Sequence, residues 1–252
     1  MKQFLKDIII EAGHMALQYR SRLSELVVEM KSKNEVVSEA DRAVETFLRC
    51  EINKRYPDHG ILGEEHGEQP GNEYRWVIDP IDGTTSFLHN QPFFCVSIAL
   101  EKAGQTILGA VNAPVLGELF EARLGGGSTC NDRPIRVSDQ PQLADSVLVT
   151  GFAALRREQQ QVILDTFSSV MRRVWSVRVL GSAALDLCYV ACGWMDGFWE
   201  RNLNNYDVAA GLLIVSEAAG QCSDYAGSTT NMPNEILATN SFIHDQMIDV
   251  LR

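Results

Sequence analysis

The stretch WVIDPIDGTTSFLHN, Trp76 to Asn90, sets two aspartates, Asp79 and Asp82, three residues apart around a proline. The residues before them, YRWVI, read as a buried strand. Asp79 therefore emerges at a carboxyl end, the edge where α/β sheets gather their ligands. Pro80 fixes its own φ and removes a backbone donor, which stiffens the turn. Ile81 then offers only its carbonyl to the outside. Two carboxylates and a carbonyl on one turn form an oxygen-only donor set, suited to a hard cation such as Mg²⁺. Gly83, Thr84 and Thr85 follow at the expected start of a short helix, where free amides and the helix dipole suit a phosphate. A capped β-turn also uses Asp, Gly and Thr, but a cap needs one acceptor and this turn brings two carboxylates.

Two more acidic segments lie outward from this stretch. GEEHGE supplies Glu64 and Glu65 after a short apolar step, Gly60 to Leu62. NNYDVAAGLLIVSEAAG places Asp207 at the mouth of an apolar helix. Taken alone, Asp207 is better explained as an N-cap or first-turn partner of the helix dipole. Together the acidic groups sit at element ends, where several can converge on one sheet edge. His66 and His89 fall near this edge and are expected to lie on the surface rather than bind metal.

The remaining pattern surrounds these segments with alternating elements. Phe4, Ile8, Ala12, Met15, Ala16 and Tyr19 mark one face of an opening helix. Leu26 to Met30 reads as a strand and KSKNE as a polar loop. Ser38 and Asp41 make a capping-box start for a second helix, with Ala43, Val44, Phe47, Leu48 and Ile52 facing inward and an end at Tyr56-Pro57. Strands are expected over Trp76 to Ile78, Phe93 to Glu101, Thr106 to Val111 and Glu118 to Arg123. GGGSTCNDRP (Gly125 to Pro134) reads as a turn-rich loop and, lacking a following helix, not as a nucleotide loop. Beyond Asp145, strands (Val147 to Thr150, Val174 to Leu180, Gly197 to Glu200, Ile236 to Thr239) alternate with helices (Arg156 to Arg172, Ser182 to Cys192, Asp207 to Ala219, and a last one). The expectation is one α/β domain over residues 1–252, antiparallel-rich to about 144 and βα-rich from about 145.

Composition narrows the function classes. The chain has 252 residues, 45% hydrophobic and 22% charged, enough to build a sizeable core. A formal net charge of -11 argues against a protein that coats nucleic acid or an anionic membrane. An acidic protein can still bind anions through metal ions. The six cysteines form no CxxC pair, and Cys188 and Cys192 read as core residues rather than ligands. The N-terminus has no signal-peptide pattern, and no apolar segment reaches the ~18 residues of a membrane span. A cytoplasmic protein is expected.

GEE, WVIDPIDGTT and YDVAAGLLIVSEAAG resemble, in that order, the three motifs of the inositol monophosphatase family of Mg²⁺-dependent, lithium-sensitive phosphatases. The resemblance implies the layered α-β-α-β-α sandwich of the inositol monophosphatase and fructose-1,6-bisphosphatase type. It implies two or three Mg²⁺ ions: Glu64, Asp79 and the Ile81 carbonyl holding the first, and Asp79, Asp82 and Asp207 the second. Gly83 and Thr84 would meet the phosphate with their amides. Thr84 with Glu64 would activate a water for in-line attack. Gly181, Ser182 and Ala183 match the substrate-contacting turn, with Asp82 beside it, and Glu200 falls where the family binds a substrate hydroxyl.

Three departures stand out: Tyr206 where tryptophan is usual, EAAG where EAGG is common, and Glu35 where aspartate is usual. Either Lys31 or Lys33 matches the family's active-site lysine. The resemblance also suggests a homodimer. The leading substrate is inositol 1-phosphate or a related polyol or sugar monophosphate. Histidinol phosphate, fructose 1,6-bisphosphate and adenosine 3′,5′-bisphosphate are alternatives within the family. A different class, a partner-binding regulatory protein on the same scaffold, would suit substituted ligand positions, and here all are intact.

Overall fold

The structure is a computed structural model and describes residues 1–32, 35–152, 160–229 and 234–252. Lys33 and the Arg156-Arg157 start of an expected helix lie outside the described residues. The first part of the chain runs α1 (Lys2–Arg20), β1 (Val28–Ser32), β2 (Glu35–Ser38), α2 (Glu39–Arg55), β3 (Gly60–Gly63), β4 (Gly67–Gln69), β5 (Tyr74–Asp82) and α3 (Thr84–Leu88). A meander follows: β6 (Cys95–Lys102), β7 (Gln105–Ala113), β8 (Glu118–Arg123), β9 (Gly127–Cys130) and β10 (Arg133–Pro134). The rest is β11 (Val147–Thr150), α4 (Gln160–Met171), β12 (Ser176–Arg178), α5 (Ala183–Ala191), β13 (Gly197–Arg201), α6 (Asn205–Glu217), β14 (Gln221–Ser223), β15 (Glu235–Thr239) and α7 (His244–Leu251).

Two large sheets result. One has the strand order β10-β9-β8-β7-β6-β5-β3-β4, and the other β12-β11-β13-β15-β14. The central strands are buried on both faces, and the period of two sorts their side chains between layers. On β5, Trp76 and Ile78 join the core under α1 and α2, while Val77 joins the core around α5 and α6. On β13, Phe198 faces that same central core and Trp199 faces the outer core beside α4 and α7. Leu237 and Ala238 of β15 divide the same way. The layers are therefore α1/α2, sheet, α5/α6, sheet, α4/α7, the expected five-layer α/β sandwich.

Helices in the middle layer are covered on both sides, which is why α6 carries an apolar sequence around most of its girth. It sits close to the larger sheet: a Cβ at Gly109 would lie 3.0 Å from the Ala210 carbonyl oxygen. Gly211 faces Leu187 of α5 just as tightly. Glycine is used here for close approach of backbones.

Three expectations need correction. KSKNE is not a loop throughout, because β1 runs to Ser32 and β2 begins at Glu35, paired antiparallel. Backbone pairing satisfies a polar strand as well as an apolar one. Within GGGSTCNDRP, β9 pairs with β8, and Asn131 and Asp132, both with positive φ, turn the chain into β10. Asn and Asp tolerate that conformation, and the pattern is a hairpin turn. The strand expected over Val174 to Leu180 shortens to Ser176–Arg178.

Gly109→Val should lower stability by roughly 1–3 kcal/mol, because the branched side chain forces α6 off the sheet. Urea unfolding checks this, and an unchanged midpoint would contradict the packing described.

Candidate active site

The geometry of the site begins with a defect in β5. Asp79 pairs with Ser97 and Asp82 with Cys95, and the register slips between them. In an unbroken strand, positions three apart face opposite sides of the sheet. The bulge at Pro80-Ile81, where proline removes a ladder donor, cancels that alternation. Asp79 and Asp82 thus point into one space, joined by Asp207 from the first turn of α6. One carboxylate oxygen from each lies within 4.8 Å of the others. Asp79 and Asp82 are buried and Asp207 is half-buried. The donor set is all oxygen, which fits a hard divalent cation.

Each carboxylate is held by its own element. Asp79 Oδ1 accepts from the Ile81 amide at 3.1 Å, an Asx turn closed over Pro80. Asp82 Oδ2 accepts from the Ser182 hydroxyl and from the Ala184 amide, both at 2.7 Å. These donors form the N-terminus of α5, where Ser182 is the N-cap, so the second half of the chain grips a ligand of the first. Asp207 Oδ2 accepts from the Asn204 amide at 2.5 Å, closing a capping box. Asp207 is thus a helix-capping residue and a cluster member at once. Glu64 follows β3, whose last residue pairs with Ile78, and its amide donates to the Ile78 carbonyl at 3.3 Å. That register sets Glu64 beside Asp79.

Gly83 has φ 90° and caps α3. A Cβ there would lie 2.8 Å from the Phe93 carbonyl oxygen and 3.1 Å from that of Gly181. Only glycine fits this left-handed position between the two halves. The first amides of α3, beginning at Thr84, have no intrahelical acceptor by position. The Thr84 hydroxyl lies 3.1 Å from the Ile81 carbonyl and 3.3 Å from Asp41 Oδ1.

Asp41 is the residue that sequence reasoning missed. It was read as a capping residue, and it is one: Asp41 Oδ2 accepts from the Ser38 amide at 2.9 Å and from the Ser38 hydroxyl at 2.6 Å. Its other oxygen reaches Thr84. A second job for a capping carboxylate leaves no separate mark in the sequence.

Glu200, at the end of β13, is buried, and Gly151 packs against it so closely that a Cβ at 151 would meet its carboxylate. A narrow cavity beside it is walled by Thr150, Phe152, Phe167 and Tyr225. Gly181 is exposed and Ser182 and Ala183 are buried, with Ser182 turned to Asp82. His89 caps α3 at the surface, and exposed His66 lies 3.3 Å from Glu45.

Burial dominates the electrostatics. It pushes the Asp79 carboxyl well above the usual range, and the charges of Glu64, Asp82, Asp207 and Asp41 push the same way. Asp207 is raised by burial and by Asp82. Asp82 is raised to about 6, again mainly by burial, against the lowering effect of its bonds from Ser182 and Ala184. Asp186 of α5 is fully buried with both carboxyl oxygens unbonded, and burial with the charges of Glu200 and Asp82 favours its neutral form.

A sequence model described as the inositol monophosphatase family matches residues 1–252. The chain belongs to this family. The inositol-1-monophosphatase of Mesorhizobium japonicum is 40% identical over 98% of this chain and 96% of its own length. The Nus factor SuhB of Xylella fastidiosa is also 40% identical, over 86% of this chain and 79% of its own. The crystal structure of extragenic suppressor protein suhB from Bartonella henselae superposes with a TM-score of 0.96 at 39% identity, covering 99% of this chain and 97% of that one. As a member, the chain is a phosphatase of the inositol monophosphatase type, a phosphoric monoester hydrolase.

Without a cation, the raised carboxylates make stability depend on pH in a definite direction. A carboxyl at about 6 in the fold and about 3.9 in the unfolded chain binds its proton preferentially in the folded state. Stability is then highest below the unfolded value and falls as pH rises through about 6. His59 and His244, whose pKa values burial lowers, act oppositely below about 6.5. The histidine contribution cancels in the difference between metal-free and Mg²⁺-loaded melting curves. That difference in Tm should grow from pH 5 to pH 7.5, because Mg²⁺ binds the ionised native site. A difference flat or absent across this range would argue against the cation site.

Proposed function

We propose that the chain is a Mg²⁺-dependent phosphatase of small polyol or sugar monophosphates, with inositol 1-phosphate as the leading substrate. The observation that carries this reading is the convergence of Asp79, Asp82 and Asp207 beside the Gly83-Thr84 turn. Glu64, Asp79 and the Ile81 carbonyl would hold one Mg²⁺, and Asp79, Asp82 and Asp207 a second. Bound there, Mg²⁺ neutralises phosphate charge and makes water more acidic.

The chain's own residues do the rest. The Gly83 and Thr84 amides take the phosphate oxygens. The Thr84 hydroxyl has one proton and two acceptors in reach, the Ile81 carbonyl and Asp41. With that carbonyl given to a cation, the proton goes to Asp41, and the Thr84 oxygen is free to accept from the attacking water. Glu64 takes one proton of the water as its oxygen bonds to phosphorus, the ester P–O bond breaks, and the leaving oxygen takes a proton from solvent to depart as the alcohol. Glu200 takes a hydroxyl of that alcohol, and the Gly181-Ser182-Ala183 turn borders the same space.

Several coarser features accompany this reading. Residues 1–252 form one domain, since both halves contribute to one site. All six cysteines are unpaired, which suits a reducing cytoplasm. Among the described residues, no helix is long and apolar enough to cross a membrane. A homodimer would cover exposed apolar surface such as Trp175, which is 75% exposed. Sedimentation at twice 28.0 kDa would support the dimer, and a monomer at micromolar concentration would remove it.

The name Nus factor among the relatives raises a second reading, in which binding a partner is the main role. A net charge of -11 and intact acidic ligands favour catalysis. Salt-sensitive RNA binding by a protein without phosphatase activity would reverse that order.

Asp79→Asn should reduce Mg²⁺-dependent turnover by about 10³-fold or more, since it removes charge from both ion positions. Near-normal turnover would sink the reading. Glu200→Gln should raise KM for inositol 1-phosphate more than it lowers kcat. Rates across a panel of phosphate monoesters would fix the alcohol, and equal rates on all would indicate a general phosphatase.

A further inference from the structure

Glu45 has no part in the set of ligands above, yet it is one of the most completely enclosed charged groups in the chain. It lies on α2, one turn after Asp41, and is 0% exposed. Its Oε2 accepts from the Glu65 amide at 2.7 Å, and its Oε1 from the His66 amide at 3.2 Å. Arg49, one turn further along α2, donates Nε to Oε1 at 2.7 Å and an Nη2 proton to the Gly67 carbonyl. The Glu45-Arg49 pair thus touches the β3-β4 turn at three successive residues. Gly63 completes the fit, because a Cβ there would run into the Glu45 carboxylate.

Glu64 sits inside this grip. On one side, Gly63 is in register with Ile78 and the Glu64 amide donates to the Ile78 carbonyl. On the other, the next two amides end on Glu45. A tight turn closed by Gly67 at φ 66° could otherwise adopt several conformations, and a glutamate on it would swing with them. A buried carboxylate that has given up solvation holds amides strongly, and Arg49 compensates its charge. The other group the structure brings to this carboxylate, the His66 ring at 3.3 Å from Oε1, belongs to the same turn.

The geometry points to Glu45, braced by Arg49, as the positioning residue for Glu64. This rests on the proposed Mg²⁺-dependent reaction, in which Glu64 is both ligand and base. α2 then serves the site twice. Asp41 orients Thr84 and, one turn later, Glu45 orients Glu64, so the two partners of the attacking water are set by one rigid helix.

The test uses the full chain with Glu45→Gln and Arg49→Met. Gln keeps the shape but turns one acceptor into a donor facing N–H groups. Arg49 is partly exposed, and combining Arg49→Met with Glu45→Gln leaves no buried carboxylate unpaired, so the double variant decides the matter if either single variant does not fold. Three quantities are read: the Mg²⁺ concentration for half-maximal rate, kcat with KM at saturating Mg²⁺, and amide exchange over residues 63–67 without metal. The expected result is a rise of about tenfold or more in half-saturating Mg²⁺ and a loss of kcat, the usual size for residues that orient metal ligands. KM should stay within about twofold, and exchange at 63–67 should quicken more than elsewhere. Unchanged Mg²⁺ dependence and kcat in a folded variant, even one with a lowered Tm, would overturn the assignment. An inactive wild-type protein would instead overturn the proposed reaction, and that result is visible before any variant is made.

Discussion

Holding like charges together in a poorly solvated space is the constraint on which the rest of this structure depends. Burial raises the pKa values of Asp79, Asp82, Asp207 and Asp41, and the acidic charges around each, Glu64 among them, raise them further. Left free, such groups would move apart or take up protons. Each of the four aspartates is instead anchored by bonds from backbone amides or hydroxyls that do not involve a cation. The anchors come from a strand bulge, two helix caps and the N-terminus of α5. The five-layer packing keeps those elements from shifting, because α6 and α5 are pressed between two sheets by contacts that leave no room for a Cβ at Gly109 or Gly211.

The layout also separates two kinds of requirement. The phosphorus end of the site is made of backbone geometry and buried carboxylates, tied into the core. In the reading proposed above, the alcohol end comprises Glu200, Gly151 and the walls of a narrow cavity. On that reading, substitution there changes which ester is accepted more than it changes the acidic cluster.

Much of this was legible in the sequence, and the reasons are local. Helices with clear 3.6-residue periodicity and strands flanked by Gly and Pro were readable because their own residues carry the signal. Asp79 and Asp82 were readable because a proline between two aspartates has few other uses. What the sequence hid was anything with two roles or a distant partner. Asp41 looks like a capping residue and is one, which concealed its reach to Thr84; Asp207 looks like one too, and its place in the cluster was legible only beside Asp79 and Asp82 and through the family resemblance. Ser182 looked like a substrate contact, and its hydroxyl is spent on Asp82, a hundred residues earlier. Glu45 sits in a helix as an ordinary i,i+4 partner of Arg49, and nothing nearby in the chain shows that it faces the GEEH turn. β9 and β10 were missed because strands of four and two residues are too short to show a periodicity of their own.

That bond between Ser182 and Asp82 has a consequence for how the molecule comes into being. A contact spanning a hundred residues of chain closes a long loop, and such closures come late in folding. On a ribosome, Glu64, Asp79 and Asp82 emerge well before the α5 N-terminus that grips Asp82, and before Asp207. The nascent acidic stretch has the ligands of a cation site but not their arrangement. The arrangement is complete only once the second half has docked, because that half supplies the Ser182 and Ala184 donors to Asp82 and the carboxylate of Asp207.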